Sequence, residues 1–591
     1  MATGMWNEWK QQRRQQPQRC AYLSLSYASL LEWLLLLLAT SVLASTSSAS
    51  RTVSLHSKES DSKHAIPGVH ADRPQIGAPS LRNIPLLQPQ FFEQRVDHYN
   101  TSDLRTFNQK FFVYDAYKSK SDGASLLFYC GPETTELSSY TATNLSLAYF
   151  AQTLGAVVVS AEHRYFGVSL PFGNRSFAQP YIQYLAIEQT LADYAAIIQH
   201  VKDSIPGLGA SKVISFGGSY GGHLSMLMRV HHPDIVTGSI ASAAATCTFG
   251  NIPDSTWYDL VSETYEQTVV SIGDDRIECS REIQYTFDHL WACIFNSSCR
   301  GALQSHLRLC TAVGTISDGY ILMFYARNLF SIGAQFDYPI AWPPTHVANS
   351  LQQHLCIPTA AEDKILLALN LIYNSTGGLA CFPFHGPAPL HAAHMHRHSR
   401  SAMLKSTLRR QTGPASHSQP HTESPVGIQD QPFQYVCCRD FPQPIGGKGI
   451  FSVPSPVNFT RTVENCQKKW GIGPSLEKWR SFVQEPLLSS GSNIAFTNGG
   501  YDPVRGFSPD HDLSPSVVVM AAEMGHTYDL FYPSIYDPQS VVSVRDHQLT
   551  LIKQWLAGIN QRQDLGITAK EFGETIQSLC SHQHSPAITS V

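Results

Sequence analysis

Gly217-Gly218-Ser219-Tyr220-Gly221-Gly222 sets a serine among glycines, directly after the apolar run Val213–Phe216 and before the periodic stretch Tyr220–Val230 that ends ahead of Pro233. G-x-S-x-G between a strand and a helix is a nucleophile elbow: the serine occupies a strained turn at the C-terminal edge of a sheet, where side chains on its neighbours would collide with strand and helix. The same turn aims the Tyr220 main-chain N–H at the place where an oxyanion forms during acyl transfer. A serine hydroxyl needs a base, and in this arrangement the chain order is serine, acid, histidine. His526, in Met524-Gly525-His526 just past the run Ser516–Ala521, is the expected base; His223 and His547 fall on helices, His231 and His232 close the elbow helix, and His511 precedes the run. Asp502, in Asn498-Gly499-Gly500-Tyr501-Asp502-Pro503, follows the run Asn493–Thr497 and is the expected acid, with Asp510 and Asp512 as rivals. Its carboxylate would fix the histidine tautomer and stabilise the imidazolium. A second oxyanion donor is expected at a main-chain amide near Gly131, after the early run Leu126–Tyr129.

These groups must be carried by a sheet. Leu126–Tyr129, Ala156–Ser160, Val213–Phe216, Asn493–Thr497 and Ser516–Ala521 read as buried strands. Ile187–Ile205, Tyr220–Val230 and Val544–Ile559 show the spacing of helix faces, for example Leu191, Tyr194, Ala195, Ile198 and Val201. Alternation of strand and helix implies a parallel sheet covered on both faces. The alternation stops between 251 and 480, where most cysteines lie. The expectation is one α/β domain, 86–250 and 481–575, interrupted by a mostly helical, disulfide-stapled cap at 251–480, with a flexible tail at 576–591.

Inside the insertion, the tract from His391 to His421 holds six histidines and five Arg or Lys, with no acid. Without a carboxylate or cysteine beside them these histidines read as a solvated loop, about 388–430, and no metal or other cofactor is expected. Net charge is −4 with charged residues at 15%, and there is no basic patch of the kind that nucleic acid requires. At 43% apolar residues the chain has ample material for a core.

The compartment is written at the N-terminus. Lys10, Arg13, Arg14 and Arg19 precede the apolar run Trp33–Ala44, with Val42 and Ala44 at the −3 and −1 positions of a cleavage site. Twelve apolar residues are too few for a span of about 20, so residues 1–44 read as a signal peptide, with membrane attachment only if it stays uncleaved. Residues 45–85 read as a disordered lead-in or propeptide. Sequons at Asn100, Asn144, Asn174, Asn296, Asn374 and Asn458 point to a glycoprotein. Setting Cys20 aside, the thirteen cysteines leave an even twelve, ten of them between Cys247 and Cys466, with no C-x-x-C pair. Disulfides in an oxidising compartment follow, in a pairing that spacing leaves open.

Taken with its flanking motifs, the chain resembles the serine peptidases that include lysosomal Pro-X carboxypeptidase, dipeptidyl peptidase II and thymus-specific serine protease. The resemblance is carried by Gln94-Arg95-Val96-Asp97-His98-Tyr99-Asn100, Glu162-His163-Arg164-Tyr165-Phe166-Gly167, Ser169-Leu170-Pro171-Phe172-Gly173, Tyr184-Leu185, Glu188-Gln189, Leu191-Ala192-Asp193-Tyr194, the elbow, and Asn498-Gly499 with Asp502-Pro503. It implies an α/β-hydrolase fold with a helical cap, a triad of Ser219, Asp502 and His526, and exopeptidase cleavage of peptides after proline, in a lysosome-like, vacuolar or extracellular setting. The family usually has Trp where this chain has Val504, Pro where it has Ala244, and often a second histidine where it has Thr527. Its cap motif Trp-x-Tyr-Gln-x-Cys-Thr-Glu is only loosely echoed by Phe433-Gln434-Tyr435-Val436-Cys437-Cys438-Arg439-Asp440. Carboxypeptidase and dipeptidyl-peptidase action both remain open, as does assembly as a homodimer. Two other readings compete: an esterase or lipase, which would carry a His-Gly-Gly-Gly motif before the elbow, and a non-catalytic binding protein, which would have lost a triad member.

Overall fold

The computed structural model describes residues 87–559 apart from 121–122, 132–144, 249–252, 254, 273–274, 341–350, 375–377, 385–430, 443–444 and 453–458. The N-terminal apolar run, the lead-in, the His-rich loop, the tail, Asn144 and Asn458 lie outside the described residues. Among the described residues no helix is long and apolar enough to cross a membrane.

Strands run in chain order as β1 (Gln90–Arg95), β2 (Thr106–Tyr114), β3 (Leu126–Cys130), β4 (Val157–Ala161), β5 (Val213–Gly218) and β6 (Gly238–Ser242), then a separate hairpin β7 (Val269–Ile272) and β8 (Asp275–Glu278), then β9 (Ile494–Gly499) and β10 (Val517–Ala522). The eight-stranded sheet has the order β1-β2-β4-β3-β5-β6-β9-β10. Its central ladder is parallel, with β5 between β3 and β6, and β9 between β6 and β10. This is the α/β-hydrolase fold. The sheet is not parallel throughout: β2 runs antiparallel to both β1 and β4. The edge strand β1 and its neighbour β2 were not anticipated because β2 alternates exposed and buried residues at its start and β1 is mostly exposed, so neither forms a continuous apolar run.

Alternate residues of the central strands enter opposite cores. Phe128, Val157, Val159 and Val213 face the helices Ile187–Ser204 and Tyr220–His231, whereas Leu127, Val158, Ile214 and Phe216 face Ser146–Leu154 and Gln539–Ala557. The period of two along each strand requires this, and continuous apolar runs are its signature in a sheet covered on both faces.

Between β6 and β9 the inserted stretch divides into two parts. The helices Thr256–Gln267, Cys279–Phe295, Ser297–His306, Ile316–Gln335 and Ala361–Tyr373 surround an apolar core of their own, with Phe287, Leu322, Phe330 and Leu369 fully buried. Cys279–Cys356, Cys293–Cys299 and Cys310–Cys381 staple this part. The long helix Ile316–Gln335 starts at a capping box in which Thr315 accepts from the Asp318 N–H and Asp318 accepts from the Thr315 N–H. In the second part, Tyr435, Val436, Phe441, Trp479, Val483 and Leu487 belong to the core of the sheet itself, and Cys438–Cys466 staples the helices Gln431–Arg439 and Phe459–Trp470. The stretch read as one cap is thus a helical lobe followed by a strap that packs onto the hydrolase.

Candidate active site

β5 delivers Ser219 to the sheet edge in a conformation few residues adopt, φ +57° and ψ −126°. Glycines make that possible: a Cβ on Gly217 would lie 1.9 Å from the Gly221 carbonyl oxygen, and one on Gly222 would lie 2.6 Å from the Ser242 carbonyl oxygen. The Ser219 N–H donates to Ser242 O at 2.9 Å, which ties the turn to the end of β6. Tyr220 begins the helix, so its N–H is one of the amides that have no partner within the helix. The Tyr220 ring is fully buried against Phe441 and Phe433, at centroid distances of 5.3 and 6.1 Å, so the strap lines the flank of the elbow with aromatic rings.

Asp502 and His526 leave the ends of β9 and β10. Gly500 N–H donates to Ala522 O at 2.8 Å and Tyr501 N–H to Met524 O at 3.1 Å, so the two turns are laced together. The fully buried Asp502 carboxylate accepts from the Val504 N–H at 3.0 Å through Oδ1 and pairs with His526 Nδ1 at 2.6 Å through Oδ2. Ser219 meets the histidine loop through its neighbours: a Cβ on Gly218 would lie 2.8 Å from the Thr527 methyl. Thr527 itself sits in the left-handed region at φ +58°, unusual for a β-branched residue. No pattern in the sequence marks it.

The rival acids are engaged elsewhere. Asp510 is exposed and pairs with His511 at 2.7 Å, and Asp512 is exposed and accepts from the Val519 N–H. His223 is buried on the elbow helix, and burial holds its imidazole down at about 3. Gly131 lies beside the elbow, since a Cβ on Gly221 would meet Cys130 O at 3.0 Å and Gly131 O at 3.9 Å.

The Asn374 side chain is buried, Nδ2 donating to Asn370 Oδ1 at 3.3 Å and Oδ1 accepting from the Leu379 N–H at 2.8 Å. Asn100, Asn174 and Asn296 are exposed.

The charged motifs carrying the resemblance form a buried frame behind the elbow. Arg164 Nε and Nη2 make a forked pair with Asp193 at 2.7 and 2.6 Å, and Nη1 donates to the carbonyls of Val96 and Tyr184. Glu162 pairs with Lys110 at 2.8 Å and accepts from Ser169 Oγ at 2.7 Å. In the strap, Asp440 is held by Lys478 at 2.6 Å, and Lys478 also meets Glu188 at 2.7 Å. Burial raises the Asp440 carboxyl above its ordinary range, with Lys478 the first opposing influence.

Comparison with known proteins identifies the family. The family model described as Serine carboxypeptidase S28 matches residues 94–548. The chain belongs to that family, and it is a serine-type peptidase. It is 28% identical over 481 residues to lysosomal Pro-X carboxypeptidase of Homo sapiens, covering 79% of this chain and 88% of the relative. The Bos taurus protein of the same name is 28% identical over 482 residues, covering 79% and 87%. Thymus-specific serine protease of Mus musculus is 25% identical over 489 residues, covering 80% and 88%.

Proposed function

We propose that Ser219, His526 and Asp502 form a catalytic triad and that the chain is a secretory-pathway exopeptidase that cuts short peptides on the carboxyl side of proline. The observation that carries the reading is the 2.6 Å bond between His526 Nδ1 and buried Asp502, packed against the strained elbow that presents Ser219. In this scheme Ser219 Oγ attacks the scissile carbonyl while His526 Nε2 takes its proton, and Asp502 stabilises the imidazolium through Nδ1–H. The Tyr220 N–H stabilises the oxyanion. His526 then protonates the departing amine, and water, deprotonated by the same imidazole, releases the acyl group from Ser219.

The preference for proline is supported by the names of the relatives. A residue with fixed φ loses little freedom on binding. The strap charges pair with one another, Asp440 and Glu188 with Lys478, so recognition of a peptide end by a lone carboxylate has no support here. A secretory route is supported by the disulfides and by the exposed sequons.

Two measurements test the reading. A fluorophosphonate probe should label the wild type and leave Ser219→Ala unlabelled, with turnover in that variant reduced on the order of a millionfold. Mass spectrometry of digests should show short peptides cut after a proline near one end. Internal cleavage of end-blocked proteins, or indifference to replacing that proline with alanine, would overturn the specificity.

A further inference from the structure

The loop that carries His526 is held from two directions. On the hydrolase side, the buried Asp529 carboxylate accepts from Ser242 Oγ and Gln548 Nε2, and Arg545 donates to the carbonyls of Asp529 and Tyr528 at 2.8 and 3.0 Å. On the other side stands the end of the inserted lobe, the four residues Gln335 to Tyr338 that finish and follow the helix Ile316–Gln335. The His526 N–H donates to Gln335 O at 2.7 Å, and the Tyr338 hydroxyl donates to His526 O at 2.6 Å. Both backbone polar groups of the histidine are therefore bonded to one short segment of the lobe. Phe336 meets the imidazole edge-on at 5.7 Å between centroids. The approach is backbone on backbone, because a Cβ on Gly525 would fall 2.8 Å from Gln335 O and 2.9 Å from Asp337 O.

We propose that Tyr338 is a positioning residue for His526, so that the inserted lobe takes part in building the base. The proposal rests on the triad reading above. With N–H and C=O both fixed, the backbone of His526 cannot rotate about its neighbours, and the bond to Asp502 sets the two remaining side-chain torsions. Nε2 is thereby left with one direction in which to face. Displacements of about 1 Å in such a constellation cost on the order of a hundredfold in rate. The Tyr338 ring does other work, stacking on Tyr528 at 5.3 Å and meeting Phe531 at 5.0 Å, so the hydroxyl can be removed while the packing stays.

Tyr338→Phe tests this. A small fluorophosphonate reads the reactivity of serine and histidine without filling the peptide pocket. Its second-order labelling constant and kcat for a peptide should fall together by roughly ten- to a hundredfold, with KM within about twofold of wild type. The shift in Tm should stay within about 4 °C, as expected for a lost hydroxyl in a chain of this size. Gly525→Ala, which forces the segment off the loop, should slow labelling further. Labelling at the wild-type rate in folded Tyr338→Phe would overturn the proposal, whether Tm falls, as for a purely structural hydroxyl, or KM rises, as for a substrate contact. Ser219→Ala is run in parallel: labelling that persists there refutes the triad itself, whereas a silent Ser219→Ala beside a fully reactive Tyr338→Phe refutes only the role of Tyr338.

Discussion

Asp502 uses each of its carboxylate oxygens for a different task, Oδ1 on the Val504 amide and Oδ2 on His526. The isosteric Asp502→Asn can keep the first bond, but it would offer an N–H to Nδ1 and favour the wrong tautomer. We expect kcat to fall about ten-thousandfold with the fold retained. Asp512→Asn, exposed and accepting from a strand amide, should stay close to wild type in the same assay. A crippled Asp512→Asn beside an active Asp502→Asn would assign the acid to the wrong turn. The placement of Ser219, Asp502 and His526 after β5, β9 and β10 was legible because each follows an apolar run. The lacing of the two turns, as in the Tyr501 N–H bond to Met524 O, was not, since it joins residues on separate loops. Nor could any local pattern join Tyr338 to His526, 188 residues apart.

Among the elements, the elbow helix and the β4 segment each bury a histidine behind the site. Burial pushes His163 down to about 4 and His223 down to about 3, from an ordinary 6.5. Both values lie below that of the unfolded chain, so between pH 6.5 and about 4 the unfolded state binds protons that the folded state refuses. Stability must then fall as the solution is acidified, by at most about 1.4 kcal/mol per pH unit for each histidine. Both ring nitrogens of His223 lack a hydrogen-bond partner among the described residues, so His223→Leu should flatten the slope. Urea melts at pH 7, 5.5 and 4.5 would measure this, and an unchanged slope would assign the acid sensitivity elsewhere. The parallel strands and their helices were readable because an element buried on both faces needs a continuous apolar run. β6, Gly-Ser-Ile-Ala-Ser, offers no such run; its residues are small because the indole of Trp555 lies over Gly238 and the elbow helix lies against Ser242.

For the molecule as a whole, the buried frame around Arg164 and Asp193 explains why motifs so rich in charge need touch no substrate: removing one partner would strand the other in the core, at a cost of about 3–5 kcal/mol. The surface makes a prediction about processing. Glycopeptide mapping of protein expressed through a eukaryotic secretory host should find sugar at Asn100, Asn174 and Asn296 and an unmodified Asn374; sugar on Asn374 would mean that its helix end is open in solution. The division of the insertion into lobe and strap escaped the sequence, because cysteine density and lost alternation run through both parts while the choice of core is tertiary. The order of the chain also sets a timetable. β9 fills the place between β6 and β10, so until it is synthesised β6 has an unpaired edge, and Ser219 stands without Asp502 and His526. His526 leaves the ribosome about 300 residues after Ser219, which at roughly 5–20 residues per second is a delay on the order of 15–60 s. On the triad proposed above, the lobe can fold and close its disulfides throughout that interval while the nascent peptidase is inert, so the cell is spared a premature protease by nothing more than the position of the insertion.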